Sequence, residues 1–223
     1  MKKVLLYSGG WDSYCASFIH PDAKKLYVNL HTPYSEIEMR NLPSDVEIQD
    51  LNLQKYVMSN GYHIPQRNAI LALIGAASIM PEAQREKDYN INIYICGVSE
   101  DESAPDKNPL YFKKISDLAS AFDIIGRDID GKWNIQVKGF NNLDKISLWE
   151  KAGKPNMRNI ISCHTGNNCG HCLDCKRRLL YLNYIYPNEY KINKIQFIND
   201  LLKENWMISE KIIKGNNYYE DSK

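Results

Sequence analysis

Val4, Leu5, Leu6 and Tyr7 run directly into Ser8-Gly9-Gly10-Trp11-Asp12-Ser13, and a segment of helical character follows. A short apolar run halted by a glycine pair reads as a buried strand entering a tight turn. The helix is expected over 12–19, stopped by Pro21. Strand, glycine corner and helix in that order are the opening of an α/β chain.

The alternation continues. Further strands are expected at 26–30, 91–98 and 135–137, with helices at 35–42, 65–79, 115–125 and 144–152. Pro65 suits a first helical turn, and Ile70, Leu71, Leu73, Ile74 and Ala77 recur at helical spacing. Gly75 and its alanine neighbours permit close approach to another element. This pattern predicts a parallel, doubly wound sheet with helices on both faces. Ligands of such sheets sit beyond the carboxyl ends of the strands, and the loops after Tyr7, Leu30 and Val98 all leave from there. Two more helices are expected at 173–186 and 190–206. The division that follows is an α/β nucleotide domain over 1–155, a cysteine-bearing helical region over 156–215 packed on it, and a frayed tail over 216–223.

The corner itself has a direct chemical use. Gly9 and Gly10 let the backbone turn sharply and bring its N–H groups close to an anion. The helix beginning near Trp11 adds its positive end, and Ser8 and Ser13 add hydroxyl donors. Asp12 repels phosphate, so it is expected to orient the loop or to reach a Mg²⁺ carried by the phosphates. The glycine spacing is neither that of the Walker loop nor that of the dinucleotide fingerprint. It resembles the PP-loop ATP pyrophosphatases, which cleave ATP between the α- and β-phosphates and adenylate a carboxylate or carbonyl.

Composition narrows the partners. A chain of 223 residues with a formal net charge of +1 has no electrostatic reason to seek nucleic acid or a membrane surface. No apolar run approaches the roughly 20 residues of a membrane helix. Lys2 and Lys3 lead only into the short run ending at Ser8, which is no secretory core. A cytoplasmic enzyme is the expectation. Four of the six cysteines, Cys163, Cys169, Cys172 and Cys175, lie close together. Four thiolates are the number that closes a tetrahedral Zn²⁺ site. An iron–sulfur cluster is the rival metal site, although the ferredoxin run ends in Cys-Pro and Cys175 is followed by Lys176-Arg177-Arg178, and free or disulfide-linked thiols are the remaining reading. His164 and His171 fall inside the same loop, and Cys15 and Cys96 read as small core residues.

Four pieces in one order resemble the 7-cyano-7-deazaguanine synthase family. After the phosphate corner, Ile64-Pro65-Gln66-Arg67-Asn68 is similar to that family's Val-Pro-Gly-Arg-Asn helix start. Cys96-Gly97-Val98-Ser99-Glu100-Asp101 stands where the family has Gly-Val-Cys-Glu-Thr-Asp, and Pro105-Asp106 where it has Tyr-Pro-Asp. Leu143-Asp144-Lys145-Ile146-Ser147-Leu148-Trp149 resembles Leu-Asn-Lys-Ala-Glu-Thr-Trp, and the cysteines with Arg178 resemble its zinc motif. The resemblance implies that ATP adenylates the carboxylate of 7-carboxy-7-deazaguanine, ammonia displaces AMP to give the amide, and a second ATP drives the amide to the nitrile. It implies Asp12, Arg67 and Lys145 as catalytic, and Ser8 to Ser13 with Asn68 as nucleotide-binding. Glu100, Asp101 and Asp106 would be substrate-binding, the four cysteines would hold zinc, and a homodimer would be the assembly.

This chain departs from the family at Trp11, where a small or polar residue is usual, and at His31-Thr32-Pro33-Tyr34-Ser35-Glu36, which lacks Gln-Arg-His. The loop after Val98 also lacks the family's aromatic and glycine residues. Trp11 or Tyr34 would then have to supply the flat wall of a base site. These departures bear on the acceptor and leave three alternatives open. One is transfer of the activated carboxylate to another amine, such as one on a protein. Another is a tRNA-modifying thiolase or amidine-forming ligase, and the third is a zinc-stapled nucleotide-binding module without catalysis.

Overall fold

The computed structural model describes residues 1–58, 64–101, 106–121, 132–163 and 168–214. Five parallel strands form one sheet: β1 (Lys2–Leu6), β2 (Lys24–Asn29), β3 (Glu47–Asp50), β4 (Asn90–Val98) and β5 (Asn134–Phe140). The helices are α1 (Trp11–Ile19), α2 (Ser35–Arg40), α3 (Arg67–Arg85), α4 (Pro109–Ser120), α5 (Lys145–Lys151), α6 (Leu173–Ile185), α7 (Lys194–Lys203) and α8 (Glu210–Lys214). The expected doubly wound α/β architecture is present. The strand order is β3-β2-β1-β4-β5. The chain moves outward through β2 and β3, then returns through α3 to the other side of β1. The order therefore reverses at β1, and a crevice opens beyond its carboxyl end.

The pleat of β1 sorts its side chains onto two faces. Val4 and Leu6 join Ala72, Ala76 and Ile79 of α3 in one buried cluster. Leu5 and Tyr7 join Ala16 of α1, Leu148 of α5 and Tyr181 of α6 in the other. Ile198 of α7 and Ile212 of α8 belong to that same second cluster, so the cysteine-bearing region shares a core with β1. Gly75 lets α3 settle directly on the sheet: a Cβ there would lie 3.3 Å from Cγ2 of Ile93 and 3.5 Å from Cδ2 of Leu6.

Helix α3 starts two residues later than expected and continues past Ile79 through Pro81. A proline removes one intrahelical donor. Ala83, fully buried beyond it, keeps the last turn in contact with the core. The edge strand β3 was not legible in the sequence because all four of its residues are exposed and carry no apolar pattern. The short helix α8 was not expected either. The helix expected over 115–125 is α4, which begins at Pro109 because Asn108 caps it, accepting from the Tyr111 amide at 2.9 Å. Residues 122–125, Pro105, His164 and the tail at 216–223 lie outside the described residues.

At the opposite edge, Ser116 and Ser120, one turn apart on α4, accept hydrogen bonds from the amides of Val137 and Ile135 at 2.8 and 2.9 Å. Helical and strand spacings coincide there, so α4 covers edge groups that would otherwise invite another strand. Among the described residues, no helix is long and apolar enough to cross a membrane.

Candidate active site

Between β1 and α1 the corner is knitted by its own hydroxyls. Ser13 Oγ accepts from the Ser8 amide at 3.3 Å and donates to the Gly10 carbonyl at 3.2 Å. Gly9 makes the turn at φ +75°, a conformation that L side chains rarely adopt. Gly10 precedes α1 and offers no side-chain acceptor, which leaves the first-turn amides to meet an anion.

This corner forms one wall of a cavity of about 260 Å³, to which Ser8, Gly10, Trp11, Asp12 and Ser13 all contribute. A second wall comes from the end of β2 and its loop, with Tyr27, Leu30, Thr32 and Tyr34. Arg67 and Asn68, at the start of α3, and Lys107 also line it; Arg67 and Lys107 bring positive charge, and Glu38 of α2 brings a second carboxylate beside Asp12. Asn68 is buried and donates to the backbone carbonyl of Asp106 at 3.0 Å, so it fastens the stretch that carries Lys107. The cavity joins residues from β1, β2 and α3 that lie far apart in the chain.

Beneath it runs a continuous ion network. Lys145 Nζ lies 2.5 Å from both carboxylate oxygens of Asp12. The Trp11 indole donates to the Lys145 carbonyl at 3.3 Å, and the Lys145 amide donates to Glu100 at 3.4 Å. Glu100 also accepts from the Tyr181 hydroxyl at 2.5 Å and from Arg177 at 2.9 Å. Asp101 meets Lys107 at 3.1 Å and Arg177 at 3.7 Å. Helix α6, which follows three of the cysteines and carries Cys175, is thereby tied to the segment just beyond the carboxyl end of β4. Lys107, Arg177 and Tyr181 were not singled out from the sequence. The one available signal was the basic triplet after Cys175, which anchoring of α6 by the cysteines directs inward.

Burial pushes the Glu100 carboxyl up, and the charges of Lys145 and Arg177 oppose it. Burial acts in the same sense on Asp101, but Lys145, Lys107 and Arg177 outweigh it and hold Asp101 at about 2. A depressed carboxyl stabilises the fold above its unfolded value, and that stability is lost as pH falls through the folded value. We expect Asp101→Asn to cost about 2 kcal/mol at neutral pH. The difference from wild type should close between pH 4 and pH 2. Urea unfolding at several pH values measures it, and a gap that stayed constant down to pH 2 would contradict the assignment.

The four sulfurs of Cys163, Cys169, Cys172 and Cys175 lie within 4.8 Å of one another. Tetrahedral thiolates about 2.3 Å from one zinc ion stand roughly 3.8 Å apart, and Cys169 and Cys175 are separated by 3.9 Å. A multi-iron cluster places its own atoms between the thiolates and spreads them further, so this set suits a single ion such as zinc. Amides of Cys169 and Cys175 donate to the sulfurs of Cys163 and Cys172, each at 3.4 Å. His171 is exposed and stands outside the sulfur set.

A search among curated proteins finds no match. The family model described as queuosine biosynthesis protein QueC matches residues 34–184, beginning after the phosphate corner and taking in Arg67, Lys145 and all four cysteines. That span is most of the chain, and it holds every piece of the resemblance except the corner. The chain therefore belongs to the QueC family, the 7-cyano-7-deazaguanine synthases, which are ATP-dependent enzymes of the ligase type.

Proposed function

We propose that the chain is an AMP-forming ligase that adenylates the carboxylate of 7-carboxy-7-deazaguanine and carries it, with ammonia, to the amide and then the nitrile. The observation that carries this reading is that Ser8, Gly10, Trp11, Asp12 and Ser13 of the corner all line the cavity, with Lys145 held against Asp12. ATP would occupy that cavity, its outer phosphates at the corner and its base toward Tyr27, Leu30 and Tyr34. The acceptor carboxylate attacks the α-phosphorus and pyrophosphate leaves with the electron pair of the broken bond. Ammonia then displaces AMP from the mixed anhydride to give the amide. A second ATP adenylates the amide oxygen with release of pyrophosphate, and that oxygen leaves on AMP, with two protons lost from nitrogen, as the nitrile forms. Arg67, Lys107 and Lys145 supply the positive charge that the crowded phosphorus requires.

Mg²⁺ would accompany the triphosphate and gather its charge, with Asp12 as the carboxylate of the corner that would hold it. Zinc at the four cysteines would be structural, keeping α6 and its Arg177 and Tyr181 in place. Glu100 and Asp101 are read as positioning residues, since their oxygens are engaged by Arg177, Tyr181 and Lys107.

Purified protein given Mg²⁺-ATP, the deazaguanine acid and ammonia should release AMP and pyrophosphate and yield the nitrile, read by mass spectrometry. AMP without nitrile would replace ammonia by another amine, including one on a protein. No acid-dependent AMP at all would leave only a nucleotide-binding module.

A further inference from the structure

One buried hydroxyl joins the starts of two helices. Ser209, 1% exposed, precedes α8: its Oγ accepts from the Lys211 amide at 3.3 Å and its carbonyl from the Ile212 amide at 3.0 Å. A hydroxyl also has one proton to give, and Ser209 gives it to Asp144. Asp144 caps α5, its other oxygen accepting from the Ser147 amide at 2.6 Å. A second route leaves from the Ser209 backbone. Its amide donates to the Tyr181 hydroxyl at 3.1 Å, which donates to Oε1 of Glu100 at 2.5 Å. The same Oε1 accepts from the Lys145 amide at 3.4 Å. Both routes therefore end on consecutive residues, Asp144 and Lys145. Nearby, the Trp206 ring backs the guanidinium of Arg177 at 5.1 Å, and Arg177 holds the other oxygen of Glu100 at 2.9 Å.

We infer that Ser209 is a positioning residue, acting through Asp144 and Tyr181 to hold the first turn of α5, and with it the Lys145 ammonium, against Asp12. The inference rests on the reading of Lys145 as a cation of AMP formation. It goes beyond that reading because Ser209 lies outside the family's matched span of 34–184 and lines neither the cavity at the corner nor the one beside α6. Apolar packing already secures the segment: Ile208 and Ile212 share a buried cluster with Ile146 and Leu148 of α5. Packing of that kind is non-directional, whereas hydrogen bonds fix angles. The Lys145 backbone is gripped on both sides, its amide by Glu100 and its carbonyl by the Trp11 indole at 3.3 Å. Ser209→Ala keeps the packing and removes the hydroxyl's direction, together with the α8 cap.

The full, metal-loaded chain tests this with and without turnover. Reductive methylation of lysines, read by peptide mass spectrometry, should label Lys145 roughly threefold faster or more in Ser209→Ala, because a loosened charge-assisted pair lets the ammonium lose its proton and react. Single-turnover AMP formation should fall about tenfold with half-saturating ATP unchanged, as small displacements of a catalytic group do. Ser209→Thr, which keeps the hydroxyl, should recover most of the rate. In a Lys145→Met background Ser209→Ala should slow the reaction no further. An equal loss in both backgrounds would make Ser209 merely structural and overturn the inference. Tyr181→Phe cuts the second route and spares the α8 cap, so it serves if Ser209→Ala fails to fold, and it should raise Lys145 labelling likewise. Labelling at the wild-type rate in whichever variant folds would overturn the inference whatever the turnover. A wild type without acid-dependent AMP formation would sink the proposed reaction, and the labelling alone would then decide what Ser209 holds.

Discussion

Replacing Lys145 by methionine should slow AMP formation about 10²–10³-fold, the usual cost of removing one preorganised donor from a charged transition state. Lys145 lies at the start of α5, and its ammonium reaches both oxygens of Asp12 at 2.5 Å. The same side chain borders a cavity of about 110 Å³ between the corner and α6, while Asp12 borders the cavity of about 260 Å³ at the corner itself. Lys145 is therefore the cation between the two. Methionine keeps the length and apolar stem, so Ile146 and Leu148, fully buried beside it, hold α5 in place. Single-turnover AMP formation at saturating ATP isolates the chemical step. If Lys145 and Asp12 act as a unit, the double variant Asp12→Asn with Lys145→Met should lose little more than either alone. A Lys145→Met enzyme of normal rate would remove this residue from the mechanism.

Removing the metal should have the largest effect on stability. Binding to four thiolates is coupled to ordering of the loop that carries them, and the loss should be of the order of 5 kcal/mol or more, comparable with the whole stability of many domains. Cys172 caps α6, its sulfur accepting from the Cys175 amide. The disturbance reaches the active site because Arg177 and Tyr181, further along that helix, grip Glu100. Cys172→Ser or a strong chelator should therefore lower the denaturant midpoint and abolish AMP formation together. Elemental analysis should return one zinc per chain. A well-folded wild type without zinc, or one with the visible absorption of an iron–sulfur centre, would refute the metal assignment.

Much of this was legible in local patterns. The apolar run at Val4, the glycine pair and the spacing of the cysteines each describe geometry that neighbouring residues impose on one another. Helix α3 was legible because its apolar residues recur with the helical period. Strand β3 was not, because an exposed edge strand needs no apolar alternation. Glu100 and Asp101 were picked out by their place after a strand. Their partners come from α6 and from Lys107, and nothing near them in the chain announces that.

By itself the sequence determined the α/β class, through the alternation of strand and helix patterns, and the glycine corner and the four close cysteines, which depend on residues within about a dozen of one another. Tertiary structure decided the rest. It set Lys145 against Asp12 across 133 positions, and it brought Arg177 and Tyr181 beneath β4. It also opened the second cavity beside Trp11. The physical reason is that charge pairing and burial depend on which surfaces the packed helices bring together, and that is a property of the folded chain.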